Sequence, residues 1–111
     1  MPTIEVGDMF VAIVAFSLDD PAQQAGLIDG IVAEIDGWVK HIPGFVSASF
    51  HASHDGRHVL NYAQWTSRDA YATFGRDDRR QRIQSAVHTA KVTGMETSTF
   101  SAARVVTAPT G

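Results

Sequence analysis

The hydrophobic pattern opens with a run in which Met9, Phe10, Val11, Ala12, Ile13, Val14, Ala15 and Phe16 follow one another without a polar interruption. A run this short and rich in β-formers predicts a strand covered on both faces. Asp20-Pro21 then supplies a helix start, with Asp as N-cap and Pro at the first helical position. Leu27, Ile28, Ile31, Val32, Ile35, Trp38, Val39 and Ile42 recur at steps of three and four. That spacing predicts one apolar stripe along a long amphipathic helix, ended by Pro43-Gly44. Gly26, Gly30 and Gly37 weaken the helix locally, and the pattern offers no reason for them.

Phe45 to Ser53 and Arg57 to Trp65 read as two strands joined at Asp55-Gly56, a pair suited to the type I′ turn of a tight hairpin. Thr66-Ser67-Arg68-Asp69 matches a capping box with Asp in place of Glu, so a short helix should carry Ala70, Tyr71 and Phe74. A second helical piece is expected from about Asp78 to Ala90, turning Ile83, Ala86, Val87 and Ala90 inward, and Met95 to Val106 reads as the last strand. The order β-α-β-β-α-β is that of the ferredoxin-like split unit, an α+β fold with helices on one face of an antiparallel sheet. One domain spanning residues 1–111 is expected. Because the first strand is apolar on both faces, its helix-free face needs a cover, and a second copy of the chain is the simplest one. This predicts a homodimer joined through sheet faces, a dimeric α+β barrel.

The hairpin also sorts side chains. With Asp55 and Gly56 as the turn, Phe50 lies opposite Asn61, Ala48 opposite Ala63 and Val46 opposite Trp65. Val46, Ala48, Phe50, Asn61, Ala63 and Trp65 then share the helix-covered face, and Ser47, Ser49, His51, Leu60, Tyr62 and Gln64 share the other. Asn61 is a poor strand former on an apolar face, where an unbonded amide is costly. It either caps nearby backbone or, with Trp65, aims polar groups into a cavity. Tyr71, on the next helix, either adds its hydroxyl to that space or is an aromatic with its tip at the surface.

Composition narrows the chemistry. The 111 residues include no Cys, which excludes disulfides, thiolate nucleophiles and Cys-based metal centres. A formal charge of −3 disfavours nucleic acid, and no apolar run is long enough for a membrane span. The first eight residues lack the basic start of a secretory leader, so a cytoplasmic location is expected. Arg76, Arg79, Arg80 and Arg82 crowd one stretch with Asp77 and Asp78. They form either a solvated face with internal ion pairs or an anion attractor at a pocket mouth. His51, His54 and His58 surround the turn, but the register displaces His51 from His58 diagonally, so they read as surface residues and no metal is expected. The chain carries no Rossmann glycine pattern and no P-loop.

The segment from Ile42-Pro43-Gly44-Phe45 through Ser53, then Asp55-Gly56, Asn61-Tyr62-Ala63-Gln64-Trp65 and Asp69-Ala70-Tyr71, resembles the antibiotic biosynthesis monooxygenase (ABM) family. The likeness is to its quinone-forming members of aromatic polyketide biosynthesis. It covers nearly the whole chain and is densest from Ile42 to Phe74. It implies a monooxygenase without cofactor that oxidises a phenolic, anthrone-like ring to a quinone with O₂. Asn61, Trp65 and Tyr71 match the family's pocket residues and carry the catalytic expectation, with Val46, Phe50, Ala63, Phe74, Arg82 and Gln84 around the substrate. The alternatives are haem degradation on the same fold and a non-catalytic dimer binding a small hydrophobic ligand. Haem is disfavoured because no His follows Trp65 until His88 and the first strand has no Asn.

Overall fold

The computed structural model describes residues 9–101, 104 and 106–109. Its four strands, β1 (Phe10–Leu18), β2 (Phe45–Ala52), β3 (His58–Trp65) and β4 (Val92–Ser101), form one antiparallel sheet in the order β2-β3-β1-β4. Between them run α1 (Gln24–Gly37), α2 (Arg68–Gly75) and α3 (Arg80–Thr89). This is the expected α+β ferredoxin-like arrangement. The apolar run became the inner strand β1, flanked on both sides. Its Phe10, Ala12, Val14, Phe16 and Leu18 point toward the helices, while Val11, Ile13 and Ala15 point away.

Several expectations are corrected in detail. The long helix is three pieces: a 3-10 turn at Pro21–Gln23 capped by Asp20, then α1, then a 3-10 turn at Val39–His41. Trp38 leaves helical geometry (φ −145°, ψ −36°) directly after Gly37. The break keeps Trp38, Val39 and Ile42 buried, whereas Val32 is 40% exposed and falls off the stripe. Gly30 has a reason the pattern did not show: a Cβ there would lie 3.1 Å from Ala86 Cβ, so it marks the close approach of α1 to α3.

The hairpin is present, with a different turn. Gly56 N–H donates to Ser53 C=O (3.1 Å), Ser53 N–H donates to His58 C=O, and Gly56 alone of the two central residues has positive φ (+78°). A type I′ turn needs positive φ at Asp55 as well. Asp55 instead accepts from Ser53 Oγ and the Arg57 N–H, which stabilises the wider loop. The α2 cap is Ser67, accepting from Ala70 N–H, so Thr66 and Asp69 form no capping box. The last strand begins at Val92 and stops at Ser101. Arg104 and Val106 lie outside it, and residues 102, 103 and 105 of the expected strand, like the first eight residues of the chain, fall outside the described ones.

A bulge between Phe45 and Ser47 decides what faces the site. Pairing is as expected from Ala52 down to Ser47, but Phe45, rather than Val46, then sits opposite Trp65. The extra residue is Val46, two positions after Gly44, whose φ is +93°. Gly44 C=O accepts from Thr66 N–H (2.8 Å), tying the start of β2 to the end of β3 beside Trp65. A Cβ on Gly44 would overlap Ala70 and lie 2.9 Å from Thr66 Oγ1. Gly44→Ala is therefore expected to cost roughly 2–4 kcal/mol in urea unfolding. Gly26→Ala, in α1 with open space around it, should instead stabilise by roughly 0.5–1 kcal/mol. Equal effects from the two would refute this account of Gly44.

Candidate active site

The core is not continuous. One cluster gathers Phe10, Trp38, Val39, Ile42, Ala63 and Trp65; a second gathers Phe16, Leu18, Leu27, Ile31, Val59 and Ala90. Between them lies a cavity of about 260 Å³, bordered by members of both. Ile35 and Ile83, which pack against each cluster, also border it. The sheet supplies the floor through Ala12, Val14, Ala48, Asn61, Ala63 and Trp65. Small residues at Ala12, Ala48 and Ala63 are what leave room beneath the helices. The volume is near the low end of small-molecule pockets, roughly 300–1,000 Å³.

Trp65 is 2% exposed. Phe74 stacks on it at 5.4 Å between centroids, Phe45 meets it edge-on at 5.2 Å, and Tyr71 edge-on at 5.9 Å. Three aromatic rings thus fix the indole, as aromatic pairs do in tilted and offset geometries. Yet its Nε1–H has no hydrogen-bond partner among the described residues, and neither has Asn61 Oδ1, although both atoms are buried. Asn61 sits between Val14 and Phe50 in the sheet, and its Oδ1 caps no backbone N–H of the described residues. One free donor and one free acceptor on an apolar wall would each cost about 1–3 kcal/mol if left unmet. The reading of Asn61 as a backbone cap is set aside.

Tyr71 and Phe74 enter from α2, held over Trp65 by the Ser67 cap. From α3 come Arg80, Ile83, Gln84 and Val87, one helical stripe at i, i+3, i+4 and i+7. Met95 and Thr97 of β4 border the remaining side. Just beyond, Arg79 grips Asp77 through two side-chain bonds of 3.0 and 2.7 Å and lies over the Trp38 ring at 4.5 Å. These bonds, with a backbone bond from Arg79, bring the Asp77 carboxyl down to about 2. Trp38 is tied in turn to Glu34 by its indole N–H (2.8 Å).

No family model matches the chain. Tetracenomycin-F1 monooxygenase of Streptomyces glaucescens is 40% identical over 74 residues, 67% of this chain, and the match spans 65% of that relative's length. A monooxygenase from the ActVA-Orf6 gene of Streptomyces coelicolor, solved with nanaomycin D, superposes with a TM-score of 0.80 at 36% identity, covering 91% of this chain and 92% of its own. SnoaB of Streptomyces nogalater, a cofactor-independent oxygenase, shares the fold with a TM-score of 0.73 at 20% identity over 90% of this chain and 98% of its own. The chain belongs to the antibiotic biosynthesis monooxygenases. It is thereby placed among oxidoreductases.

For an antibiotic biosynthesis monooxygenase, the positions of the expected residues divide clearly. Asn61, Trp65, Tyr71, Ala63, Phe74 and Gln84 all border the cavity. Val46, Phe50 and Arg82 do not. The bulge moves Val46 off the wall and puts Phe45 there, Phe50 packs against the second core cluster, and Arg82 is exposed on the outer side of α3. Ile35, Val39 and Val87, expected only as inward apolar positions, and Arg80, expected only as one of four clustered arginines, also border the cavity. Counted from the inward Ile83 and Val87, α3 turns Arg80 and Gln84, and not Arg82, to the cavity. None of the five His borders the cavity, so its wall offers no imidazole to a haem iron. His51 instead lies on the helix-free face, 3.0 Å from Ser49 Oγ. Among the described residues no three His, Asp or Glu gather as a metal site.

Asn61→Leu replaces the unmet amide by an apolar side chain of similar size. In the ligand-free protein it should raise unfolding free energy by about 1 kcal/mol, while Ala63→Leu, which fills space without removing a polar group, should not. A loss of stability in Asn61→Leu would show that the amide is satisfied inside the fold.

Proposed function

We propose that the protein is a cofactor-independent monooxygenase that oxidises a phenolic polycyclic aromatic, of the anthrone or hydroquinone type, to a quinone with O₂. The observation that carries this is the pair of unmet buried groups, Asn61 Oδ1 and Trp65 Nε1, on an otherwise apolar cavity wall. A planar ring bearing oxygens supplies what both lack. A ring oxygen can accept from the indole N–H, and a phenol O–H can donate to the amide, which can present its N–H₂ end by rotation. The family supports the substrate class: one relative is named for tetracenomycin F1 and another was solved with nanaomycin D.

The chemistry needs little from the protein. Loss of a proton from the electron-rich ring gives an anion, which passes one electron to O₂. The resulting radical pair combines into a peroxide, and that peroxide loses water to leave the quinone. The ring CH₂ becomes C=O: its two hydrogens leave, O₂ is reduced by four electrons in all, one oxygen stays on the ring and the other departs with both hydrogens as water. Trp65 and Asn61 hold the ring oxygens as charge develops. Tyr71 donates to a carbonyl or relays the departing proton. The apolar walls keep bulk water from the intermediates.

Two copies are expected to pair through the helix-free face. There Ile13 is half-buried while Leu60 and Phe100 are 39% and 50% exposed, an apolar patch in want of a cover. Light scattering should give twice the chain mass, falling to one chain in Leu60→Asp; a monomeric wild type refutes the pairing.

The activity is tested with a tricyclic anthrone in aerobic buffer without added cofactor, following quinone absorbance and O₂ uptake together. Asn61→Ala and Trp65→Phe should each lower kcat/KM by about ten- to a hundredfold. A rate no greater than uncatalysed autoxidation would reject the oxidase reading, and tight binding without turnover would make the protein a carrier.

A further inference from the structure

Sulfur is confined to three positions in this chain, Met1, Met9 and Met95, since there is no Cys. Met95 lies on β4 opposite Phe16, on the side of the sheet that faces the helices, where the strand otherwise presents Thr97, Thr99 and Ser101. It borders the cavity and is nevertheless 60% exposed, so its thioether stands at the mouth and belongs to neither core cluster. It is thus not the gap-filler that a buried methionine usually is. Met9, half-buried ahead of β1, does not border the cavity. Asn61 Oδ1 and Trp65 Nε1, buried and without partners among the described residues, border the same space from β3. Because β1 separates β3 from β4, the backbones of Asn61 and Met95 are set apart by two strand spacings, about 10 Å. An aromatic ring held by its oxygens at the β3 wall presents its opposite edge to β4.

We infer that Met95 is a modification site: its thioether intercepts aromatic hydroperoxide in the cavity and becomes methionine sulfoxide. This rests on the peroxide step of the proposed reaction and adds a second fate for that intermediate. In the productive fate the hydroperoxide loses water and leaves the quinone. In the intercepted fate the sulfur lone pair attacks the distal peroxide oxygen, and an S–O bond forms as the O–O bond breaks. The proton of the distal oxygen passes to the oxygen that stays on carbon. Sulfur is oxidised by two electrons and the peroxide is reduced by two, so a hydroxyanthrone is left in place of the quinone. With no Cys in the chain, no thiolate competes for the peroxide. Trp65, the other oxidisable side chain on the wall, is shielded by three rings. The sulfoxide is polar where the thioether was apolar, and methionine sulfoxide reductases can reverse it.

The test first delivers a hydroperoxide without turnover. The whole protein is treated with cumene hydroperoxide, an apolar aromatic probe, or with hydrogen peroxide, and sulfoxide at Met95 and Met9 is read by peptide mass spectrometry. Cumene hydroperoxide should raise the Met95-to-Met9 oxidation ratio about tenfold above that with hydrogen peroxide, because the cavity concentrates it beside the sulfur. Ala63→Leu, which fills the cavity, should bring the two ratios together. Equal ratios in wild type, or a cumene hydroperoxide ratio that persists in folded Ala63→Leu, overturn the proposal. The second arm supplies a tricyclic anthrone, isotopically labelled O₂ and catalase, which removes free hydrogen peroxide. The label should reach the Met95 sulfoxide and a hydroxyanthrone should accompany the quinone, and Met95→Leu should remove that hydroxyanthrone. Enzymatic quinone formed without labelled Met95 overturns the proposal and leaves the oxidase reading standing. Selective oxidation of Met95 by cumene hydroperoxide, in a protein that makes quinone no faster than autoxidation, supports the site while the oxidase reading falls.

Discussion

Much of this molecule depends on keeping a hole in its core. Side chains of a 111-residue chain would ordinarily close over the centre of the sheet, because unfilled apolar space forfeits contacts on every side. Here the floor is laid with alanines at positions 12, 48 and 63, and the core is split into two clusters that meet only at the margins of the cavity. The aromatic stack around Trp65 is what allows this. Phe45, Tyr71 and Phe74 brace the indole from three directions, so the wall stands without anything in front of it.

The same bracing explains why two buried polar atoms can remain unmet. An indole free to turn would find water or a carbonyl; one wedged among three rings cannot. Asn61 is held likewise by its place in β3, between strands that use the backbone groups around it. On the proposed function, these groups would already be held in place before a ligand arrives, as in preorganised sites. Gly44, the bulge after it, and the Ser67 cap are the backbone devices that bring β2, β3 and α2 to this arrangement.

How far the site could be read from the chain varied by residue. Asn61, Ala63 and Trp65 were legible because they alternate on one strand, and a strand's faces follow from counting by two. Tyr71 and Phe74 followed from their place one turn apart behind a helix start. Val46 was misplaced because one extra residue flips everything beyond it to the other face, and a bulge leaves only Gly44 as a trace in sequence. Arg82 was placed at the substrate by the family resemblance, although the phase set by the inward Ile83 and Val87 favours Arg80. The helix break at Trp38 had a hint in Gly37, but the stripe of apolar residues continued across it.

The sequence by itself determined the order of elements, the antiparallel hairpin, the apolar inner strand and the family, since each is a matter of local periodicity or of residues close along the chain. Only the tertiary structure decided that the aromatic residues enclose space rather than fill it, and that among the described residues Arg79 has an ion-pair partner while Arg80 has none and Asn61 Oδ1 and Trp65 Nε1 lack hydrogen-bond partners. Those facts depend on distances between elements far apart in sequence. A difference of an ångström there separates a packed core from a cavity, and no pattern along the chain records it.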